Sequence, residues 1–311
     1  MKSYVLSSFV PLYSRLDVMY IAIYSAFFSP TSITYIKSVI EYLTNYDHKF
    51  ILVDRLEKYL GKEAAKYSFF KEDQAIKEKV DFLFSVGGDG TLLRSILVIR
   101  DTKIPILGIN AGRLGFLTSI KRETLHEGLN LFFKQKYTLL KRTLLEVSSN
   151  NPTEELSKFG YALNEVTINR KNTTSMLSID AKLNNQFLTT YWSDGLIIAT
   201  PTGSTGYSLS SGGPIVLPSS KCFVVNPIAP HNINMRPLIV PDDTTFEISV
   251  KGRGKTHLLS LDSRILTLEN GNDIKIKKAK FNALTVQLEG AFFFNTLREK
   301  LFWGQDTRNT Q

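Results

Sequence analysis

The sequence predicts an α/β domain followed by an all-β domain: a doubly wound, Rossmann-like unit, then a β-sandwich, with a closing helix that packs back on the first unit. Three observations predict this. Up to about Tyr137, short strand-like runs alternate with apolar residues at helical spacing. Beyond it the period becomes alternating, and turn residues recur between short runs. Near the end, "NTLREKLFW" is helical again. The expected boundaries are an extension at 1–18, the α/β domain at 19–136, the sandwich at 137–295 and the returning helix at 296–311.

The elements follow in order. "YIAIYSAFF" is a first strand, and Ile33, Ile36, Ile40 and Leu43 mark one face of a helix. "KFILVD" is a second strand, followed by a short helix that Gly61 ends. The run 80–86 is a third strand, closed by a glycine turn and a helix with Leu92, Leu93, Ile96 and Leu97 on its apolar positions. "IPILGIN" is another strand, and Leu125, Leu129 and Phe132 stripe a further helix. Such an order places ligands beyond the carboxyl ends of parallel strands. In the second half, Leu177, Ile179, Ala181 and Leu183 alternate, and Asn184-Asn185 turns the chain into "FLTTYW". Phe246, Ile248 and Val250 precede the loop "KGRGK", and the turn "ENGN" leads to Ile274 and Ile276. Met19 opens the first core strand, so residues 1–18 read as an appendage or as the product of an upstream start codon.

Composition narrows the function classes. The 311 residues are 43% hydrophobic and 22% charged, enough for a sizeable core. One cysteine, Cys222, leaves no internal disulfide framework and suits a reducing compartment; it reads as a small packed residue. Four scattered histidines have no zinc spacing, so no protein-held metal site is expected. The net charge of +9 is spread along the chain. Its densest cluster, "IKIKKAKF", opens in alternation and reads as a strand with a lysine-rich outer face. Nucleic acid is therefore not the expected partner, though a positive field draws in small polyanions such as nucleotides. No apolar run is long enough to span a bilayer, and the N-terminus lacks a convincing signal-peptide cleavage site. The expected location is the cytoplasm.

Four stretches look like site rather than scaffold. In "FLFSVGGDGTLL", Gly87, Gly88 and Gly90 strip side chains from a strand-to-helix turn, opening positive φ and close approach to the backbone around Asp89 and Thr91. It is neither a Walker A loop nor a full G-x-G-x-x-G turn. The run "SDGLIIATPTGSTGYSLSSGGP", 193–214, carries five glycines and nine hydroxyl side chains, a set of slim donors suited to phosphate and ribose. There Asp194 offers an acceptor and Tyr207 a stacking surface. "NEVTINR" begins with an amide and a carboxylate, Asn164 and Glu165, that suit an adenine edge and ribose hydroxyls. In "NPIAPHNINMRPLIVP", prolines fix a loop around His231 and Arg236, which orient backbone as readily as they touch ligand.

In one order, GGDGT, "LGINAGRLGFLT", "NEV", "DGLIIATPTGSTGYSLSSGGP", "PHNINMRP" and "NTLREKLFWG" closely resemble the NAD kinase family, from about Tyr20 to Gly304. The GGDGT motif alone is shared with diacylglycerol, sphingosine and phosphofructokinase relatives; the long glycine–hydroxyl run is the specific one. The resemblance implies an α/β domain, a β-sandwich and phosphoryl transfer from ATP to the 2′-hydroxyl of the adenosine ribose of NAD. It implies Asp89 as the catalytic acceptor of that hydroxyl's proton, with Gly90 and Arg94 against the dinucleotide. Gly87, Gly88, Gly90 and Thr91 form the ATP-phosphate loop. Asn164, Glu165 and Asp194 hold the nucleotide, and Thr205, Gly206, Tyr207, Ser208, Leu209 and Ser210 line its pocket. Ser175 and Arg264 fall where relatives also touch ligand. Mg²⁺ arrives with ATP, and a homo-oligomer, dimer or tetramer, is implied. Departures are Gly206 where many relatives have alanine, Trp192 at an often basic or polar position, and Ser25-Ala26 in place of the glycine after the first strand. Two other readings remain open at this point: a non-catalytic dinucleotide sensor, and a lipid or sugar kinase sharing GGDGT.

Overall fold

Alternating strand and helix segments from Tyr20 onward build a parallel sheet in the first of two units. The computed structural model describes residues 18–74, 76, 79–112, 115–171 and 176–302. One unit gathers the described residues up to Leu140 and those from Leu284 on; the other runs from Lys141 to Ala283. The proposed extension at 1–18 lies, but for Val18, outside the described residues.

The first unit contains β1 (Tyr20–Tyr24), α1 (Pro30–Asn45), β2 (Lys49–Val53), α2 (Glu57–Leu60), β3 (Phe69–Phe70), β4 (Phe82–Gly87), α3 (Asp89–Ile99), β5 (Ile106–Asn110) and α4 (Leu125–Phe133). The strands pair in parallel in the order β5-β4-β1-β2-β3. Ile21, Ile23, Leu83, Phe84, Ile106 and Ile109 are fully buried in it. These are near-continuous apolar runs, as expected for a sheet covered on both faces. Helix α1 starts at a capping box in which Ser29 and Ser32 exchange bonds, with Pro30 at its first position. It buries Ile36, Val39, Ile40 and Leu43, the predicted stripe with Val39 buried and Ile33 only half-buried. Gly61 ends α2 at φ 58°, as its position suggests.

The chain then continues through β6 (Tyr137–Ser149), α5 (Glu154–Phe159), β7 (Tyr161–Ala162), β8 (Glu165–Arg170), β9 (Leu177–Leu183), β10 (Gln186–Ser193), β11 (Gly195–Ala199), α6 (Tyr207–Ser210), β12 (Cys222–Ile228), β13 (Leu238–Pro241), β14 (Phe246–Lys251), β15 (Thr256–Leu261) and β16 (Arg264–Glu269). β17 (Ile274–Leu288) and α7 (Phe293–Leu301) close it. In the second unit β10-β9-β14-β17 form one antiparallel sheet and β13-β12-β11-β8-β15-β16 another. Alternation explains the core between them. Ile179, Tyr191, Phe246, Ile248 and Ile276 come from one sheet, and Ile168, Ile198, Phe223, Leu259 and Leu268 from the other. Asn184 and Asn185, at φ 49° and 65°, make the two-residue hairpin expected there. Cys222 is half-buried and packs beside Ile197, Ala199, Val216 and Val224.

Helix α7 belongs to the first unit and starts two residues before the predicted helix. Leu297 is buried, Phe293 meets Phe116 with ring centroids 6.3 Å apart, and Glu299 pairs with Lys121 at 2.8 Å. One stretch reads differently in three dimensions. The glycine–hydroxyl run curls into a 3-10 turn, Gly203–Thr205, followed by the one-turn helix α6.

Phe246 is fully buried in the sandwich core. Phe246→Ala is expected to cost about 3–5 kcal/mol of stability, read from the shift of the urea unfolding transition that reports on this unit.

Candidate functional site

In the first unit the chemistry centres on the turn between β4 and α3. Gly88 is the N-cap of α3 and Asp89 its first residue, so the acid sits where the helix dipole favours negative charge. Positive φ is needed at one glycine rather than three: Gly87 has φ 159°, whereas Gly88 has φ −97° and Gly90 is helical. Sterics explain the rest. A Cβ on Gly87 would lie 2.2 Å from Thr91 Oγ1, while one on Gly88 or Gly90 would meet nothing within 4 Å. Gly88 and Gly90 therefore leave open, exposed backbone beside Asp89.

The second glycine motif holds the acid. Phe116 N–H donates to Asp89 Oδ2 at 2.7 Å, and Leu117 N–H to Oδ1 at 3.1 Å. Gly115 packs so closely that a Cβ there would fall 1.7 Å from Oδ1. The motif is itself folded back on β5. Asn110 Oδ1 accepts from Gly112 N–H at 2.6 Å, Ala111 N–H donates to the Gly87 carbonyl, and Ser119 N–H to that of Gly108. A Cβ on Gly108 would strike Thr118 Cα at 2.8 Å. Arg94, on α3, lies over the Phe27 ring with its guanidinium carbon 5.1 Å from the centroid. The loop with the departures Ser25 and Ala26 buries both residues, and Ser25 Oγ donates to the Phe27 carbonyl. Just before it, Tyr24 Oη donates to Glu72, which also pairs with Arg55 at 2.9 Å; burial and Glu72 raise the phenol's pKa.

In the second unit a separate set converges on Asn164 and Glu165. Thr200 N–H donates to the Asn164 carbonyl at 2.8 Å, and Thr200 Oγ1 donates to the Leu163 carbonyl and accepts from Gly203 N–H. Gly203 passes so near that a Cβ would lie 2.1 Å from the Asn164 carbonyl oxygen. Asp262 takes three main-chain N–H groups, from Leu163 at 2.9 Å, Asn164 at 2.7 Å and Glu165 at 3.2 Å. Its own N–H returns to the Glu165 carbonyl. Glu165 accepts from Tyr207 N–H, and its pKa is pushed up to about 8, first by burial and then by the nearby Asp262. Two buried atoms of this set, Asn164 Oδ1 and Glu165 Oε2, have no hydrogen-bond partner among the described residues. A buried acceptor left bare in an otherwise satisfied network points to a bound molecule that completes it.

The other expected residues divide by what holds them. Asp194 is ion-paired with Arg170 at 2.9 Å. Ser208 is buried, its carbonyl accepting from Asn226 Nδ2 at 2.9 Å, and Thr205 Oγ1 donates to the Thr202 carbonyl. Tyr207 and Ser210 are exposed, and Leu209 is half-buried. Arg264 donates to the carbonyls of Phe159 and Tyr161 and so braces the segment leading into Asn164. Ser175 lies outside the described residues. Residues the sequence reading missed are Asp262, Thr200, Arg170 and Arg142, the last buried with Nη1 3.2 Å from Thr202 Oγ1. Thr200 lay inside the glycine–hydroxyl run and Arg170 ended "NEVTINR"; Asp262 and Arg142 stood in ordinary strand-like sequence with nothing to single them out.

A carboxylate fixed in a glycine turn, and in the second unit a polar segment that keeps buried acceptors bare, are equipment for a nucleotide-dependent transferase. Comparison with known proteins makes this specific. The ATP-NAD kinase N-terminal domain model matches residues 41–137, and the ATP-NAD kinase C-terminal domain model residues 163–288. The NAD kinase of Christiangramia forsetii is 45% identical over 94% of this chain and 100% of its own, and that of Flavobacterium psychrophilum 42% over the same shares. The fold resembles yeast NADH kinase crystallised with NADH, with a TM-score of 0.81 and 23% identity over 94% of this chain and 90% of that one. It also resembles an NAD kinase from Archaeoglobus fulgidus crystallised with ATP, with a TM-score of 0.70 and 25% identity over 90% and 99%. The chain belongs to the NAD kinase family.

Gly203→Ala would drive a methyl into the Asn164 carbonyl. The expected result is a stability loss of about 1–3 kcal/mol, with faster hydrogen exchange at Thr200 N–H, both measurable on the free protein.

Proposed function

We propose that this chain is an ATP-dependent NAD kinase, which transfers the γ-phosphoryl group of ATP to the 2′-hydroxyl of the adenosine ribose of NAD and releases NADP and ADP. The observation that carries the reading is the anchoring of Asp89 by Phe116 and Leu117 N–H in a chain similar over its length to NAD kinases. Phosphoryl transfer asks a protein mainly for positioning and charge stabilisation. A ribose hydroxyl is a poor nucleophile until aligned and relieved of its proton, and a placed carboxylate contributes about 10²–10⁴-fold by general base action. Asp89 has that role here. Each of its oxygens already accepts one N–H, which fixes the carboxylate's plane and leaves lone pairs for the hydroxyl.

The bare backbone at Gly88 and Gly90 suits the triphosphate, whose oxygens meet N–H groups at the start of α3. Mg²⁺ comes with ATP, held chiefly by phosphate and water; it lowers the charge repulsion between Asp89 and the phosphates. Asn164 and Glu165 hold the adenosine moiety through their unpaired oxygens. Arg94, Asp194, the segment 205–210, Ser175 and Arg264 are proposed to act with them. NADP synthesis, a cytoplasmic location and a homo-oligomeric state belong to the same reading; among the described residues no helix is long and apolar enough to cross a membrane.

Incubation of purified protein with Mg-ATP and NAD, followed by an enzymatic assay for NADP, tests the proposal. NADP formation supports it. Binding of NAD without NADP would favour a sensor, and phosphorylation of a lipid or sugar instead would favour a GGDGT relative. Asp89→Asn is expected to keep NAD affinity within several-fold and to lower kcat by at least ~10²-fold. Gly115→Ala should copy that phenotype with the acid still present, because the added methyl displaces the Asp89 carboxylate. Steady-state kinetics on the two variants decide both points, and near-normal turnover in Asp89→Asn would remove it from the mechanism.

A further inference from the structure

Two acidic residues lie together at the start of β8, and their carboxyl groups are served unequally. Asp262, in the turn between β15 and β16, receives three main-chain N–H groups from 163–165 and has the Arg264 guanidinium nearby. Glu165 has only the nearby Tyr207 N–H of α6 to favour its charge, and keeps Oε2 buried and without a partner among the described residues. Glu165 is only 9% exposed. Asp262 and Glu165 are joined through main-chain hydrogen bonds, and the Asp262 charge works against ionisation of the buried Glu165, so the pair retains a proton. The proton resides where the charged form is worth least. Burial raises the pKa of both groups, but at Asp262 three main-chain N–H bonds and the Arg264 charge oppose that rise, an opposition Glu165 lacks in that strength.

We propose that Asp262 carries the charge of this pair and Glu165 its proton, so that Glu165 offers the bound dinucleotide an O–H donor and couples NAD binding to pH. The dinucleotide part rests on the function proposed above; the division of the proton does not. Gly206 completes the arrangement. An alanine Cβ there would lie 3.0 Å from Glu165 Oε2 and 3.2 Å from the Gly203 carbonyl. Glycine there leaves the free oxygen open to a ligand acceptor. Asp262 is a positioning residue, since it acts on ligand only through 163–165.

Burial and then Asp262 raise the Glu165 pKa while Tyr207 N–H favours its anion; at Asp262 burial raises the pKa and the N–H groups of 163–165 and Arg264 lower it. With Glu165 at about 8, the protonated fraction falls above that pH. The apparent affinity falls with it, toward roughly tenfold per pH unit when only the protonated form binds.

Two measurements test the proposal on wild type, Glu165→Gln and Asp262→Asn. Calorimetric NAD affinity of wild type should decline from pH 7 to pH 9.5. Glu165→Gln, whose amide cannot ionise, should show the same affinity at both pH values within about twofold, and at pH 9.5 should bind more tightly than wild type. Asp262→Asn removes the charge that raises Glu165, so its decline should begin at lower pH. Melting of the ligand-free proteins gives the second readout. A carboxyl whose pKa is raised by folding loses stability as pH climbs from its unfolded value of about 4.3 to its folded one, and contributes a constant deficit beyond. The Tm advantage of Glu165→Gln over wild type should therefore grow from pH 5 to about pH 8 and then level. A flat Tm difference, or wild-type affinity constant or rising with pH, overturns the proposal. If Asp262→Asn fails to fold, wild type against Glu165→Gln still decides. If no protein binds NAD at any pH, the proposed function fails while the melting comparison still tests the pair.

Discussion

The hold of Phe116 and Leu117 N–H on the Asp89 carboxylate is the constraint on which the first unit's chemistry depends. A carboxylate on a glycine turn would otherwise have two free χ angles and an exposed surface to sample. Two charge-assisted bonds, each worth about 1.5–3 kcal/mol, remove that freedom. The cost is passed to the backbone. Gly115 and Gly108 must have no side chain, because a Cβ on Gly115 would fall on the Asp89 carboxylate and one on Gly108 would strike the backbone of Leu117 and Thr118. Two glycine-rich motifs distant in sequence thus serve one acid: the first offers bare backbone beside it and the second fixes its orientation.

The sandwich unit solves a similar problem with the same device. Asp262 is a carboxylate placed in a turn to organise another segment's N–H groups, in this case those of 163–165 at the start of β8. Its φ of 52° is uncommon for a non-glycine residue and one that aspartate tolerates better than most. Thr200 and Gly203 bind the same segment from the other side. What results is a short stretch of main chain fully satisfied from both sides, bearing two side chains that are not.

Legibility in the sequence followed the range of the physics. Local periodicity announced α1, α4 and the alternating strands, and Asn184-Asn185 announced its hairpin, because each is decided within a few residues. Asp89 stood out for its three glycines. Their reasons were legible in part: the open backbone at Gly88 and Gly90 is the close approach the turn suggests, whereas the clash with Thr91 that requires Gly87 is not written in the local pattern. That clash is a next-turn packing fact. The fold of the glycine–hydroxyl run into a 3-10 turn and α6 was hidden for a related reason, since four-residue helices have no periodicity to read. Asp262 was invisible because its partners are about a hundred residues away, and an aspartate before a serine is an ordinary turn residue. Arg264 could be placed by resemblance, but its bracing of Phe159 and Tyr161 could not.

Leaving Asn164 Oδ1 and Glu165 Oε2 unpaired has an energetic meaning beyond affinity. Each buried polar atom without a partner costs about 1–3 kcal/mol, and the bonds from Asp262, Thr200 and Gly203 are what let the folded chain tolerate that. A ligand that pairs both atoms recovers the cost, whereas one lacking a matching group leaves it in place. Discrimination then follows from the absence of a bond as much as from its presence. A site built in this way rejects an analogue missing one hydrogen-bonding group by up to about 10⁴–10⁵-fold, far more than the shape of an apolar pocket could. In the proposed reading, the pocket's selectivity for an adenosine moiety is thus a property of what the protein declines to satisfy for itself.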